Sequence, residues 1–386
     1  ETTTWAGLRG TDLPDPAAVL GSSAEALAAV RRHVDAGTEL LVAAPGRAEE
    51  DMRDELRGDG FHVLADGVAG PPTCPRTPEP GRLWILTSGS TGRPKRIGHT
   101  LGTLTTVGTA QPPRVWLCPY SPGTYAWWQL VTLSLTQPGQ DLVAVDARQL
   151  DEWPRIAVEH GVTAVSGTPT FWRQALFRHG AELCRVPLQQ VTLGGEPVDQ
   201  PILDRLKETF PGARVSWIYA SSEVGAAIVV HDGRAGFPRD WLDRAAPGRP
   251  LLSVDAHELV VRSPHHGAAM DGPVRTGDRV EVTADRVLII GRRGSDEINV
   301  GGAKISAGAV RDVLHAHPAV AWARVRGRRA PIVGQVVVAD VVADPSVDNA
   351  AIARWAAERL PDYGVPRRLT RLAEIPVKET LKTDVG

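Results

Sequence analysis

Residues 87–95 read Thr-Ser-Gly-Ser-Thr-Gly-Arg-Pro-Lys. Four hydroxyl residues, Thr87, Ser88, Ser90 and Thr91, are interleaved with Gly89 and Gly92, and Lys95 closes the run. Hydroxyls and free backbone N–H groups donate to phosphate oxygens. Glycine lets the backbone bend and approach a ligand closely, and the lysine adds positive charge. The chemistry is that of a phosphate cradle. It is not a Walker A loop, which ends Gly-Lys-Ser/Thr, because Lys95 follows Pro94. On composition alone, a Gly/Ser surface turn fits equally well.

Three further segments carry groups of the same kind. LGGEPVD (193–199) sets Gly194, Gly195 and Glu196 at the end of an apolar run, where glycines let a ligand reach a sheet crevice. Taken alone it reads as a tight turn before a helix. IYASSEVG (218–225) offers a flat aromatic face at Tyr219 and a carboxylate at Glu223, suited to a hard cation. VRTGD (274–278) ends on Asp278, whose two oxygens can accept from two hydroxyls. A lone Glu at a strand end is usually only solvated, and Asp is common in turns.

These segments need elements to hold them. Helical spacing at 23–35 is bounded by Ser22 or Ser23 as N-cap and Gly37 as stop. Strands are predicted at 39–44, 61–64 and 83–86, and a helix at 48–56. Strand alternating with helix implies a parallel, helix-covered sheet. Residues 70–82 are Pro-rich and read as a loop. Beyond the cradle, strands are predicted near 115–118, 141–145, 162–165, 191–193 and 215–219, with helices at 153–160, 166–176 (started by Pro169) and 201–210. Short alternating runs over 248–291 suggest a small antiparallel β region. A compact α+β part follows, with helices at 306–317 and 349–360 around strands at 321–326 and 335–342.

Bulk properties exclude several classes. The chain has 386 residues and a formal net charge of −2, from 43 basic and 45 acidic residues. No basic field points to nucleic acid or an anionic membrane. No apolar run approaches the roughly 20 residues of a membrane span, and the start lacks a signal-peptide pattern. Cys74, Cys118 and Cys184 are widely spaced and read as packing residues of a reduced, cytoplasmic protein.

The string at 87–95 resembles the phosphate loop of the adenylate-forming (ANL) superfamily, which includes acyl- and aryl-CoA synthetases, peptide-synthetase adenylation domains and luciferases. Six more segments resemble that family in family order, from about residue 80 onward: 193–199, 218–225, 274–278, GRRGSDEINVGGAKIS (291–306), LPDYGVPRRL (360–369) and IPVKETLKTD (375–384). Compact acyl- and aryl-CoA ligases are the most similar. The resemblance implies the ANL fold, a large α/β domain over 1–293 and a small mobile α+β domain over 294–386, with a hinge near Gly294. It implies that Thr87, Ser88, Gly89, Ser90, Thr91, Gly92 and Lys95 hold ATP phosphates. Gly195, Glu196, Tyr219, Ala220 and Ser221 would border the nucleotide, and Asp278 and Arg292 would contact ribose. Ser222 would bind the α-phosphate or the substrate carboxylate, Glu223 would ligate Mg²⁺, and Lys382 would be the adenylation lysine. Gly301 and Gly302 would line the path of the acceptor thiol. Val274, Gly294 and Leu381 depart from the family pattern, the last standing where the family has glycine.

The implied reaction is attack of a carboxylate on the α-phosphorus of ATP, giving acyl-AMP and pyrophosphate, then transfer to the thiol of CoA or of the phosphopantetheine on an acyl or peptidyl carrier protein. The stretch 119–130 has no acid to bind an α-amino group. Tyr120, Tyr125, Trp127 and Trp128, with Gly194, suggest an aromatic-lined pocket for a small aryl or short apolar acid. Two alternatives stand beside this reading: an adenylating enzyme with an amine or other non-thiol acceptor, and a non-catalytic nucleotide-binding relative, suggested by Leu381, Gly294 and a short N-terminal part.

Overall fold

A computed structural model describes residues 3–8, 12–47, 49–65, 67–87, 95–268, 272–292, 296–331, 334–378 and 380–383. The chain divides into two compact units. One comprises 1–166, 220–226 and 263–272, the other 167–219, 227–262 and 273–386.

The first unit opens with β1 (Ala17–Leu20), α1 (Ser23–Ala36), β2 (Leu40–Ala43), α2 (Glu50–Gly58), β3 (His62–Ala65), β4 (Val68–Gly70), β5 (Leu83–Thr87) and β6 (Lys95–His99). The six strands form one sheet in the order β4-β3-β1-β2-β5-β6. Its inner pairs are parallel. The outer strands β4 and β6 run antiparallel, so the sheet is mixed where the alternation predicted a parallel one. α1 starts and stops as its ends predict: Ser22 and Glu25 form a capping box, and Gly37 takes the left-handed conformation at φ 64°. Ala18, Leu20, Leu41, Leu56, Phe61 and Val63 pack into one core beneath this sheet. The Pro-rich loop is tied down by the buried Glu39 carboxylate, which accepts from Arg76, from the Glu79 N–H and from the Trp84 indole.

After α3 (Leu101–Leu104) the unit continues through β7 (Arg114–Cys118), α4 (Tyr125–Thr136), β8 (Gln140–Ala144), α5 (Trp153–Glu159) and β9 (Ala164–Gly167). β8 and β9 both pair with β7 in parallel. The sequence reading missed α4. It is apolar on nearly every side, so it shows no amphipathic period. Trp127 and Trp128 lie within it at 0% exposure, edge to face at 5.0 Å, and are core side chains.

The second unit begins with α6 (Pro169–His179), β10 (Gln190–Gly194), α7 (Gln200–Thr209), β11 (Arg214–Ser221, whose last two residues fall in the first unit) and β12 (Gly225–Val230, whose first two residues do likewise). β10 and β11 are parallel. A five-stranded antiparallel sheet follows, as the alternating runs predict. It is built from β13 (Phe237–Pro238), β14 (Leu251–Asp255), β15 (Glu258–Arg262), β16 (Val274–Val282) and β17 (Arg286–Arg292). The last part holds β18 (Glu297–Val300), β19 (Ala303–Ser306), α8 (Ala307–His315), β20 (Val320–Ala330), β21 (Gly334–Ala343), α9 (Asn349–Ala357) and β22 (Arg368–Arg371). Val310, Leu314, Val337, Val341 and Ile352 form its core.

The boundary expected at 293/294, and with it Gly294, lies outside the described residues. The cysteine expectation holds for Cys118 alone, which is buried with its thiol pushed up to about 12 by desolvation. Cys74 is exposed on a loop and Cys184 is exposed in a 3₁₀ helix over Gly180–Arg185, so packing does not account for them. No helix among the described residues is long and apolar enough to cross a membrane.

Candidate active site

The cradle joins two antiparallel strands. β5 ends at Thr87, β6 begins at Lys95, and these two residues face each other across the ladder. The Thr87 hydroxyl donates to the Lys95 carbonyl at 3.3 Å. Ser88, Gly89, Ser90, Thr91 and Gly92 lie outside the described residues.

β6, which the sequence reading did not anticipate, leads to His99. Its Nε2 lies 2.8 Å from the Ser222 carbonyl and its Nδ1 3.0 Å from the Thr103 hydroxyl. A carbonyl can only accept, so Nε2 carries the proton. Burial lowers the pKa of this ring and favours the neutral form. The turn containing Ser222 and Glu223 is fixed further. The Glu223 carbonyl accepts from the Gly267 N–H at 3.0 Å, and the Ala268 N–H donates to the Gly98 carbonyl at 2.7 Å. The Ser221 hydroxyl oxygen accepts from the N–H groups of Glu223 and Val224, so it shapes the turn. The Glu223 carboxylate has no hydrogen-bond or ion-pair partner among the described residues. As a hard oxygen donor it fits a magnesium ion.

In the second unit, the antiparallel register of β16 and β17 sets Asp278 opposite Arg292. Directly opposed residues share one face of the sheet, so two distant motifs become one group. Tyr219 joins them, its hydroxyl donating to Asp278 Oδ2 at 2.5 Å. Burial raises the pKa of Asp278, with Tyr219 and Arg292 acting against that rise. A carboxylate, a phenol and a guanidinium together fit the hydroxyls of a sugar.

Lys382 is also in this unit. Gly195, at φ 82°, follows the end of β10. A Cβ there would lie 3.2 Å from Lys382 Cε and 3.6 Å from Nζ, so the end of the lysine lies directly against Gly195 and would have to give slightly for any side chain at that position. Glu196 does not point its carboxylate at a free cavity. Oε1 accepts from the Thr383 N–H and Oε2 from the Thr170 N–H, each at 2.9 Å. Thr168 donates to the Leu381 carbonyl. Sequence reasoning missed Thr168 and His99, because nothing in their neighbours distinguishes them from ordinary strand and cap residues.

The remaining candidates have local roles on view. Gly301 and Gly302 form the two-residue turn between β18 and β19, at φ 61° and 91°, the conformation of a type I′ hairpin. Tyr120 is buried, with its hydroxyl 3.1 Å from Ser166 Oγ, and Tyr125 is buried at the start of α4. Asp199, Asp312 and His315 group their ligand atoms within 4.8 Å. Asp199 Oδ2 is already shared by Arg173 and His315, and both imidazole nitrogens are hydrogen-bonded, so this group is an ion-pair cluster and not a metal site.

The AMP-binding enzyme family matches residues 15–267, and the AMP-binding enzyme C-terminal domain matches residues 310–382. The likeness therefore begins well before residue 80, where the motifs had suggested it starts. The 2-succinylbenzoate–CoA ligase of Bacillus cereus (strain Q1) is 27% identical over 321 residues, covering 76% of this chain and 66% of the relative. That of Geobacillus kaustophilus (strain HTA426) is 27% identical over 384 residues, covering 89% and 76%. The chain thus spans just under two thirds of the length of the Bacillus cereus relative.

Among solved structures, the anthranilate CoA ligase AuaEII in complex with anthranoyl-AMP superposes with a TM-score of 0.72 at 17% identity, covering 97% of this chain and 86% of that one. The o-succinylbenzoate CoA synthetase of Bacillus subtilis, in complex with its acyl-adenylate, gives 0.67 at 20% identity, covering 96% and 87%. ATP-bound MatB from Rhodopseudomonas palustris gives 0.71 at 18%, covering 97% and 88%. These likenesses show the fold of the adenylate-forming enzymes. With 15–267 matched by one domain of that family and 310–382 by its companion, the chain belongs to the AMP-binding enzymes, the adenylate-forming superfamily.

Proposed function

We propose that the protein activates a carboxylic acid with ATP, forming acyl-AMP and pyrophosphate, and then passes the acyl group to the thiol of CoA or of a carrier-protein phosphopantetheine. The observation that carries this reading is the seat of Lys382 against Gly195, beside a glycine-rich strand end. The substrate carboxylate attacks the α-phosphorus, the bond to the β-phosphate oxygen breaks, and pyrophosphate leaves. Charge grows on the phosphoryl oxygens, so positioned cations and donors do the catalysis. Lys382 bridges the carboxylate and the α-phosphate, and the Ser222 hydroxyl binds the α-phosphate or the substrate carboxylate. The loop at 87–95 holds the β- and γ-phosphates through its hydroxyls, backbone N–H groups and Lys95. Asp278 and Arg292 take the ribose, and Tyr219 flanks the base. Glu223 would hold Mg²⁺, which supplies charge neutralisation on the phosphates.

In this reading 1–293 and 294–386 act as separate domains that pivot near Gly294. The family matches stop at 267 and resume at 310, which supports a boundary between them. Rotation withdraws Lys382 and brings the Gly301–Gly302 turn to the thiol path. An aryl or short acyl acid is the proposed substrate. Support comes from the missing acid in 119–130 and from relatives named for 2-succinylbenzoate and anthranilate.

Acid-dependent ATP–pyrophosphate exchange over benzoic, cinnamic, fatty and β-amino acids tests the first step. CoA, a phosphopantetheinyl carrier protein and amines offered as acceptors test the second. Lys382→Ala abolishes exchange and leaves thioester formation from supplied acyl-AMP largely intact. Equal loss of both half-reactions overturns the role of Lys382, and no exchange with any acid favours a nucleotide-binding relative without activity.

A further inference from the structure

We infer that Thr168, Glu196 and Leu381 form a dock that positions Lys382, with Leu381 as its apolar anchor. The inference rests on the adenylation reading for the role of the lysine, but the dock itself stands on geometry. The peptide groups on both sides of Lys382 are held. On one side the Leu381 carbonyl accepts from the Thr168 hydroxyl. On the other, the Thr383 N–H donates to Glu196 Oε1 at 2.9 Å.

Both anchors are fixed to the first turn of α6. The Thr168 oxygen caps that helix, accepting from the Phe171 N–H at 3.0 Å. Glu196 Oε2 accepts from the Thr170 N–H at 2.9 Å. One carboxylate therefore binds the helix start and the lysine segment together, and the side chain of Lys382 emerges at a set point beside Gly195.

Leu381 supplies the third contact. The segment before the lysine is a tight turn, closed by Leu381 N–H to Lys378 carbonyl and Lys378 N–H to Lys382 carbonyl, both 2.8 Å. Leu381 sits in it at φ 60°, a conformation that favours glycine and strains a residue with a Cβ. Yet its side chain is only 2% exposed. Burial of the leucine offsets the strained backbone and holds the turn down. Glycine there would keep the turn and lose the anchor. The dock must open for the lysine to withdraw, so Leu381 lengthens the time spent in the adenylating arrangement.

The test compares Thr168→Val, Glu196→Ala, Glu196→Gln, Leu381→Gly and Leu381→Ala in the full chain. Hydrogen exchange is read on the peptide spanning 378–383, alongside both half-reactions. In Glu196→Ala and Leu381→Gly the Thr383 amide loses protection. The maximal rate of adenylation falls by roughly 10- to 100-fold, as misplacement of a reacting group does, while KM for ATP stays within about twofold. Thioester formation from supplied acyl-AMP is unchanged or faster. Glu196→Gln keeps one acceptor and recovers part of the rate. Raised KM for ATP with undiminished protection at Thr383 overturns the dock and makes Glu196 a nucleotide contact. If no acid supports exchange in the unaltered protein, the adenylation reading fails, while the hydrogen-exchange comparison still decides whether the dock exists.

Discussion

His315 Nδ1 donates to Asp199 Oδ2 at 2.7 Å, with both side chains buried. Asp199 caps α7 through the Ile202 N–H and belongs to the stretch matched by the AMP-binding domain. His315 ends α8 and belongs to the stretch matched by its C-terminal companion. Arg173 completes the group, its Nη2 lying 2.5 Å from the same carboxylate oxygen. The other imidazole nitrogen accepts from the Ala323 N–H at 3.0 Å, so the ring is neutral. The two matched segments are thus joined inside one compact unit by a buried, fully hydrogen-bonded cluster.

The first prediction concerns pH. Burial, with Arg173 second, lowers the His315 pKa from 6.5 to about 4. Between those values the unfolded chain binds a proton that the folded one does not, so stability rises with pH across the window. The contribution is complete above pH 6.5 and is lost as pH falls toward 4. The slope is at most about 1.4 kcal/mol per pH unit for one group. Urea unfolding of the native protein and of His315→Gln from pH 4 to 7 checks this, since the variant lacks that share of the slope.

Burial alone would raise the pKa of Asp199, but Arg173 and His315 outweigh it and hold the carboxyl well below the usual range. Removing the carboxylate strands a buried guanidinium. Asp199→Asn is expected to lose about 3–5 kcal/mol, whereas Arg173→Met combined with Asp199→Asn loses less than Asp199→Asn alone. Denaturant midpoints of the two variants measure the difference.

Gly195→Ala separates stability from rate. The new Cβ meets the flexible end of Lys382, which can move aside, so the fold loses only about 1–2 kcal/mol for the left-handed backbone. The slight shift of the lysine end costs adenylation about 3- to 10-fold, well short of the loss that a full ångström of misplacement brings. Thermal melts and pyrophosphate exchange on the same preparation report the two quantities.

Asp278→Asn keeps an acceptor for the Tyr219 hydroxyl and removes the charge facing Arg292. KM for ATP is expected to rise about tenfold, equivalent to about 1.4 kcal/mol, with little change in stability. Arg292→Lys acts in the same direction because Lys lacks the fixed guanidinium fork. Equilibrium binding of AMP, monitored by tryptophan fluorescence, gives the same ranking without turnover.

Some of this was legible in the chain itself. The hydroxyl, glycine and lysine pattern at 87–95 announces phosphate chemistry because its groups are contiguous. Ser22, Glu25 and Gly37 announce the ends of α1 because capping is local. α4 was not legible, since apolar residues on nearly every side erase the period that reveals a helix. That Glu196 accepts from the backbone N–H groups of Thr170 and Thr383 was not legible either, since both partners lie far from it in the chain.

The sequence by itself determined which groups the protein carries and the order of its motifs, hence its family. Only the tertiary structure decided which groups meet. The register of β16 and β17 sets Asp278 facing Arg292, and Thr168 and Glu196 reach the two peptides that flank Lys382. Leu381 looked like damage to a motif, and the fold makes it a buried anchor. Local chemistry is written in neighbouring residues. Contacts between segments some 190 to 210 positions apart depend on chain paths and burial, which no short window of sequence contains.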